Sequence, residues 1–135
     1  MRMARSTFCS SLAIAIACGL AATVAPTAHF VVDTSRNGLG PWVVPAGSPA
    51  GDPESWCNPP DRGLGRTPST DTGNPVVDAY LWIKVPGESD GQCSRGLGTG
   101  DEVVDPIWGR VDPDAGEWFP EQALELARLA VPPLR

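Results

Sequence analysis

The hydrophobic residues of this chain occur in short runs that are separated by long stretches without a repeating pattern. The runs at 29–32 and 79–83 are too short for helices and are rich in aromatic and β-branched side chains, so each predicts a buried strand. A polar loop with charged side chains follows each run directly. Ionisable groups just past the carboxyl end of a buried strand are typical of the active-site rim in β/α architectures.

One further element is predicted, a helix over 120–130. Pro120 suits the first helical position, and Glu121 suits the positive end of the helix dipole. Pro132 and Pro133 end the helix. Its apolar face is narrow and made of small side chains, as in a helix that covers a barrel; its members are Ala123, Leu126, Ala127 and Ala130.

The rest of the chain predicts irregular loops, because glycine and proline interrupt it throughout. The tetrapeptide Arg-Gly-Leu-Gly begins at Arg62 and again at Arg95, which we interpret as coincidence and not as a structural repeat. Strands that are buried on both faces need neighbouring strands and covering helices. The inventory lacks them, so it predicts an α/β chain that is the tail of a larger domain and incomplete as a domain by itself.

The first 28 residues have the pattern of a secretory signal peptide. Arg2 and Arg5 precede an uncharged apolar stretch at 12–24, and small residues follow up to Ala28. The apolar stretch is shorter than the roughly 20 residues that span a bilayer. An uncleaved anchor, or a lipoprotein acylated at Cys18, is the alternative, but the residues before Cys18 match an acylation site poorly. The pattern therefore predicts a secreted protein with residues 29–135 as its mature part.

The charge of the mature part limits its partners. The full chain has 10 Lys and Arg against 16 Asp and Glu. Two arginines lie in the predicted leader, which contains no acid, so eight basic residues remain against 16 acidic ones and the net charge is −8. An acidic surface argues against nucleic acid and anionic membranes as partners. It suits a neutral ligand.

Two of the four cysteines remain after the leader, Cys57 and Cys93. An even number in an exported chain makes a single disulfide the first expectation. It would close a loop of roughly 37 residues and stabilise the fold by about 3.5–4 kcal/mol on the chain-entropy estimate. A metal site is the alternative, but two isolated thiols and His29 make a poor zinc signature. No metal or cofactor is therefore expected.

The loop after the second strand carries three ionisable groups in seven residues, Lys84, Glu88 and Asp90. Paired carboxylates on either side of a scissile bond are the usual machinery of glycoside hydrolysis. Solvated side chains in a surface loop are the simpler interpretation of the same pattern. Neither is decided by the spacing.

The tryptophans are the second group of candidates, because an indole in a loop is either packed or available as a platform for a sugar ring. Trp56 is the best platform candidate, since the adjacent cysteine would fix its backbone. We expect Trp82 in the core and Trp118 packed under the helix. The acidic cluster at 112–117 lacks the ligand count and spacing of a calcium loop and is interpreted as a turn.

Four ordered motifs together resemble the C-terminal part of glycoside hydrolase family 6 cellulases, and the ending Trp118-Phe-Pro-Glu121 is similar to that family's ending. The resemblance covers 29–135 and implies a distorted β/α barrel that hydrolyses β-1,4-glucan with inversion. The motifs are Phe30-Val-Val-Asp-Thr-Ser-Arg-Asn-Gly38, Trp56-Cys-Asn-Pro-Pro60, Thr72-Gly-Asn-Pro-Val-Val-Asp-Ala-Tyr-Leu-Trp-Ile-Lys84 and Pro86-Gly-Glu-Ser-Asp-Gly91.

The resemblance also implies roles for individual residues. Asp90 matches the aspartate proposed as the catalytic base. The other matched positions bind substrate or link loops: Lys84 and Glu88 match residues that hydrogen-bond the sugar, Trp56 matches a stacking tryptophan, and Cys57 and Cys93 match a disulfide between active-site loops.

The chain departs from the family in one respect. The family's general acid lies in the first half of the barrel, and residues 1–28 contain no carboxylate that could replace it. An inverting mechanism needs an acid and a base about 6.5–9.5 Å apart. We therefore expect a truncated cellulase that is inactive alone and needs a separate chain with the front half of the barrel. The alternatives are a glucan-binding protein without catalysis, a non-functional remnant, or a reading frame that continues upstream.

Overall fold

The computed structural model describes residues 27–43, 54–98 and 102–135. Three regular elements occur in these ranges: β1 (Phe30–Asp33), β2 (Val77–Leu81) and α1 (Pro120–Arg128). All three were predicted from the sequence. The predicted signal peptide lies almost entirely outside the described residues and stays a prediction.

The second strand begins and ends two residues earlier than the predicted 79–83. It starts early because the Val77 amide donates to the carbonyl of Asn74 at 3.2 Å, which closes a turn directly before the strand. It ends early because the amides of Ile83 and Lys84 donate to the Asp33 carboxylate and so leave the ladder. The sequence pattern shows neither of these contacts.

The two strands form a parallel pair. Val31 lies opposite Ala79, Val32 opposite Tyr80, and the register is irregular only near Phe30. The carboxyl ends of parallel strands lie at the same edge of a sheet. The loop after β1 and the loop after β2 are therefore neighbours, as the rim prediction requires.

The two strands differ in burial. In β2, the side chains of Val77, Ala79 and Tyr80 are buried. β1 alternates between half-buried and exposed residues, and Val31 is 46% exposed. The prediction of strands buried on both faces is therefore wrong for β1 within the described residues. It holds only in part for 79–83, because Leu81 is 37% and Ile83 60% exposed.

The helix packs on the loop between the strands. Leu126 and Ala130 form a buried cluster with Leu64. Trp82, which we expected in the core, packs against this cluster but is only partly buried. The Leu64 amide donates to the carbonyl of Leu126, and the Val131 amide donates to the carbonyl of Leu64. No helix in the described ranges is long and apolar enough to cross a membrane.

The aromatic pair before α1 is arranged differently from the prediction. Trp118 is 61% exposed, whereas Phe119 is fully buried and lies 5.0 Å from Trp108 between ring centroids. Phe119 caps α1 in an extended conformation, and its amide donates to the carbonyl of Gly87. Successive side chains of extended backbone point to opposite sides. With Phe119 turned inward, Trp118 lies outside, and the prediction that Trp118 packs under the helix is wrong.

The two Arg-Gly-Leu-Gly segments have different surroundings. Leu64 of the first is buried, while Leu97 of the second is 57% exposed. Gly63 is packed so closely that a Cβ there would lie 2.1 Å from the carbonyl oxygen of Leu129. The identical letters therefore do not indicate a structural repeat.

Candidate active site

Asp33 connects the loops that follow the two strands. Its carboxylate accepts hydrogen bonds from the amides of Ser35 at 2.9 Å, Ile83 at 3.3 Å and Lys84 at 3.2 Å. Burial raises the pKa of Asp33, but these amide hydrogen bonds outweigh it and hold the pKa below its usual value. The charged Asp33 therefore fixes the backbone from which the Lys84 side chain extends.

Asp90 lies between two cations at this edge of the sheet. Its Oδ2 is 2.5 Å from a guanidinium nitrogen of Arg36, and its Oδ1 is 3.3 Å from the Lys84 ammonium. Only 12% of the Asp90 side chain is exposed. The two cations come from the loops after β1 and β2 respectively, so the parallel pairing brings them together.

The environment of Asp90 favours its ionised form. Burial raises the pKa of this carboxyl group, but the hydrogen bond and charge of Arg36, the Asn58 amide and the Lys84 charge lower it further. The net result is a pKa below the usual value for aspartate. The carboxylate is therefore charged throughout the neutral and mildly acidic range.

Lys84 also holds the loop that precedes Asp90. Its ammonium lies 3.5 Å from the Glu88 carboxylate and donates to the carbonyl of Ser89 at 3.1 Å. Lys84, Glu88 and Asp90, which the sequence placed in one loop, are thus in mutual contact through the lysine. Their chemical roles remain predictions.

Asn58 is buried beside Asp90 and forms hydrogen bonds with several groups around it. Its backbone amide donates to Asp90 Oδ2 at 2.9 Å, and its Oδ1 accepts from the Asp90 amide at 2.7 Å. Its Nδ2 donates to the Ser89 hydroxyl, the Gly91 carbonyl and Asp112 Oδ2. Asn58 has a φ of 37°, and asparagine tolerates the left-handed region better than most residues.

The predicted disulfide between Cys57 and Cys93 is confirmed, with Cα atoms 6.0 Å apart. It joins the segment that carries Asn58 to the segment that carries Asp90. Trp56, beside the disulfide, is 64% exposed. An indole with a free face next to a cross-linked backbone is what a sugar platform needs, and that role stays a prediction.

A second acidic pair lies beside Asn58, and one of its members, Asp112, belongs to the cluster that the sequence analysis interpreted only as a turn. Asp105 and Asp112 are both buried. Arg95 contacts Asp105 Oδ2 with two nitrogens: Nε donates to it at 3.0 Å, and a terminal guanidinium nitrogen lies 2.8 Å from it. Burial raises the pKa of Asp112 to about 6, with Asn58 lowering it and Asp105 raising it further.

The acidic pair does not fit a metal ion. Donor atoms of Cys93, Asp105 and Asp112 lie within 4.8 Å of one another. The sulfur of Cys93, however, is bonded in the disulfide and is not a thiolate. The guanidinium of Arg95 already neutralises Asp105. The chemistry of the set therefore favours a shared proton over a cation.

Sequence reasoning missed several residues of the site, among them Arg36, Asn58 and Asp112. Arg36 could have been found, because it follows the first strand and parallel strands end at the same edge. Asn58 adjoins Cys57, and the predicted disulfide to Cys93 places Asn58 near the loop that carries Asp90. No signal in the sequence indicated that Asp112 is buried.

Comparison with known proteins identifies the family of this chain. The family model described as glycosyl hydrolases family 6 matches residues 2–130. The match begins inside the predicted leader, which lies almost entirely outside the described residues. The chain belongs to glycosyl hydrolase family 6.

Individual relatives are cellulases. Endoglucanase A of Thermobispora bispora is 41% identical over 114 residues, which is 84% of this chain and 19% of the relative. A probable 1,4-beta-D-glucan cellobiohydrolase C of Aspergillus niger is 39% identical over 78% of this chain and 22% of the relative. The chain thus spans about a fifth of the length of these relatives.

Solved structures match in the same way. The endoglucanase Cel6 from Mycobacterium tuberculosis, in complex with a methyl-cellobiosyl-4-deoxy-4-thio-β-D-cellobioside, is 42% identical with a TM-score of 0.53. The match covers 75% of this chain and 27% of that one. Cellobiohydrolase II (Cel6A) from Humicola insolens, in complex with glucose and cellotetraose, is 33% identical with a TM-score of 0.56, over 78% and 28% of the two chains.

Proposed function

We propose that this chain supplies the part of the active site that carries the catalytic base, Asp90, in a secreted, inverting β-1,4-glucan hydrolase. One observation carries the proposal: an ionised carboxylate lies beyond the ends of two parallel strands, held by Arg36 and Lys84. A charged carboxylate can accept a proton from the attacking water. The names of the relatives, an endoglucanase and a cellobiohydrolase, give the substrate class.

The two cations have a cost and a benefit for this chemistry. They lower the basicity of Asp90, and a general base acts best when its pKa is near the working pH. They also keep the carboxylate ionised and fixed in direction, so that a bound water faces a constant negative charge. A base of this kind orients water more than it drives proton transfer.

The neighbouring side chains suit a sugar chain. Trp56 offers an exposed indole face on which a pyranose ring can stack. Lys84 and Glu88 offer a donor and an acceptor to hydroxyl groups near the cleavage point. We assign the substrate-binding role to these three residues.

Inversion also requires a general acid, and we assign it to a part of the family domain that this chain does not span. That part would be carried by a separate chain or by further sequence, and would complete a β/α barrel around β1 and β2. The exposed face of β1 supports this, since a parallel strand is normally covered on both faces. We place the reaction outside the cell, on the basis of the predicted leader at 1–28.

The test is complementation. This chain is co-expressed with the front part of the Thermobispora bispora relative, and reducing sugar released from soluble cellulose is measured. Asp90→Asn is expected to lower the rate at least about 100-fold, the usual effect of losing a general base. Asp71→Asn, a change at an exposed acid, is the control and should keep the rate. An active complex that is insensitive to Asp90→Asn would show that Asp90 is not the base.

A second function, glucan binding without hydrolysis, is favoured by the exposure of Trp56 alone. Binding of cello-oligosaccharides to the isolated chain is measured by calorimetry. Trp56→Ala should abolish it, because stacking supplies most of the contact. Trp118→Ala is the matched control, since this indole is similarly exposed but lies against Gly87. Equal loss in both variants, or no binding by the parent chain, would contradict the platform role.

A further inference from the structure

Asn58 holds Asp90 in two places at once. It donates its backbone amide to the Asp90 carboxylate and accepts the Asp90 amide at its side-chain oxygen. Arg36 and Lys84, by contrast, contact only the carboxylate. Asn58 is therefore the residue that fixes the backbone of Asp90 together with its side chain.

This hold depends on which way the Asn58 amide faces. With the amide reversed, Nδ2 would face the Asp90 amide, and Oδ1 would face the carbonyl of Gly91. Both contacts would then be repulsive. The observed orientation is favoured further by Asp112, whose Oδ2 accepts from Nδ2 at 2.8 Å.

Asp112 has an unusual hydrogen-bond arrangement. Its Oδ1 is buried and has no hydrogen-bond partner among the described residues. A buried polar atom without a partner is costly and needs an explanation. A carboxylate oxygen of Asp105 lies within 4.8 Å of one of Asp112. A proton on Asp112 Oδ1 that is shared with Asp105 satisfies the unpartnered atom and removes the repulsion between the two groups.

We propose that Asn58 is the positioning residue of Asp90 and that the buried pair of Asp105 and protonated Asp112 keeps the Asn58 amide in the required orientation. The inference deepens the proposed function, because it rests on Asp90 as the base. Burial and Asp105 raise the pKa of Asp112 to about 6, which supports protonation in mildly acidic solution.

Several charged and polar groups surround Asp112. Asp105 and Arg95 are the nearest charged side chains. The loop from 88 to 93 carries Asp90, which is linked to Asp112 through Asn58. The Cys93 sulfur of the same loop is in the disulfide and does not titrate. The helix contributes neutral Gln122. Charges farther out are Glu54, bonded to the Arg95 amide, and the surface pair of Arg110 and Glu121.

Loss of the Asp112 proton has a defined consequence. Two charged carboxylates would then lie close together in a buried site, with the Arg95 guanidinium paired to Asp105. Repulsion from Asp105 would displace the Asp112 side chain, while the ionised Asp112 would accept more strongly from Asn58 Nδ2. The Asn58 amide would shift with Asp112, and its hold on Asp90 would change. The position of Asp90 would thus change with pH around the pKa of Asp112, well above the pH at which Asp90 itself titrates.

The experiment is a pH titration of the full chain by NMR, with ¹³C-labelled aspartate and ¹⁵N-labelled asparagine side chains. We expect one common midpoint between pH 5 and 7 in the carboxyl signal of Asp112, the carboxyl signal of Asp90 and the amide signal of Asn58. The Asp114→Asn variant, a change at an exposed acid two residues away, is the control and should show the same midpoint.

Asp112→Asn separates positioning from mere folding. The new amide can accept from Asn58 through its oxygen and donate to Asp105 through its nitrogen, so it imitates the protonated acid at every pH. The Asp90 and Asn58 signals should then stay at their low-pH positions, with no step. A step that persists in Asp112→Asn, or a parent chain in which Asp90 does not follow Asp112, would overturn the inference.

The titration uses no substrate, so its result does not depend on catalysis. If Asp90→Asn leaves hydrolysis unchanged in the complementation assay while the coupled titration is seen, the proposed function fails and the positioning network stands. If Asp90 is essential but shows no coupling, the reverse holds.

Discussion

Asn58 and Asp90 exchange two hydrogen bonds although they are 32 residues apart in the chain. Their neighbours Cys57 and Cys93 form the disulfide. A covalent bond and a reciprocal polar contact therefore join the same two segments within a few residues of each other. This double connection therefore adds to the hold that Arg36 and Lys84 have on the Asp90 carboxylate.

Removal of the disulfide should destabilise the chain. We expect Cys57→Ser with Cys93→Ser to lower the free energy of unfolding by about 4 kcal/mol, because the unfolded chain regains the freedom of the open loop. Urea denaturation of the full chain, with and without a thiol reductant, measures the effect. The parent chain should lose stability in reductant and the double variant should not. A parent chain indifferent to reductant would contradict the expectation.

Asp112→Asn should change how stability depends on pH. The folded pKa of Asp112 is about 6, above the ordinary aspartate value of 3.8. Between these two values the unfolded chain loses this proton and the folded chain keeps it. The contribution of Asp112 to stability is therefore full below pH 4, falls as the pH rises to 6, and is constant above.

The comparison of the parent chain with Asp112→Asn isolates that contribution, because Asp33 and Asp90 act in both. Their lowered pKa values give the opposite trend, since their stabilisation is lost as the pH falls below the ordinary aspartate value. Unfolding free energies are measured at several pH values. The parent chain should lose stability relative to Asp112→Asn as the pH rises from 4 to 6. A difference independent of pH would mean that Asp112 titrates normally.

Arg36→Gln should raise the pKa of Asp90. Burial already acts in that direction, and the guanidinium provides the largest opposing effects. The change is read from the ¹³C carboxyl signal of Asp90 during an acid titration. Arg66→Gln serves as the control, because Arg66 lies over the ring of Tyr80 and not beside Asp90. If both variants leave the midpoint in place, the Arg36 contact is not formed in solution.

Gly63→Ala and Gly73→Ala form a matched pair. Both glycines have positive φ, at 64° and 66°, so alanine meets the same backbone penalty of roughly 1–2 kcal/mol in each. A Cβ at Gly63 would also lie 2.1 Å from the carbonyl oxygen of Leu129, while nothing lies within 4 Å at Gly73. We expect Gly63→Ala to cost about 1–3 kcal/mol more, as measured by thermal unfolding. Equal costs would show that the helix end moves freely.

The sequence predicted the elements better than their surroundings. Short β-branched runs and a proline-initiated helix are local signals, and all three elements were found. The cluster of Lys84, Glu88 and Asp90 was also visible, because seven residues of one loop cannot separate far. Burial was harder to predict, since the half-exposed face of β1 depends on what else packs against the sheet.

The contacts that the sequence could not predict are those between irregular loops. Asn58 and Asp112 are 54 residues apart and belong to no periodic segment, so no pattern relates them. Trp118 and Phe119 show the same limit at short range. Either aromatic ring could cover the helix, and the extended backbone of Phe119 as the capping residue decides between them.

The two copies of Arg-Gly-Leu-Gly differ in accessibility in the folded chain, so the number of accessible copies reports whether the core is folded. An antibody raised against the Gly-Leu-Gly portion would reach the copy around Leu97 on the native surface, where the side chain is open to solvent. The copy around Leu64 lies under the helix and would become an epitope only when α1 detaches. Antibody stoichiometry would therefore rise from one to two per chain as the core opens.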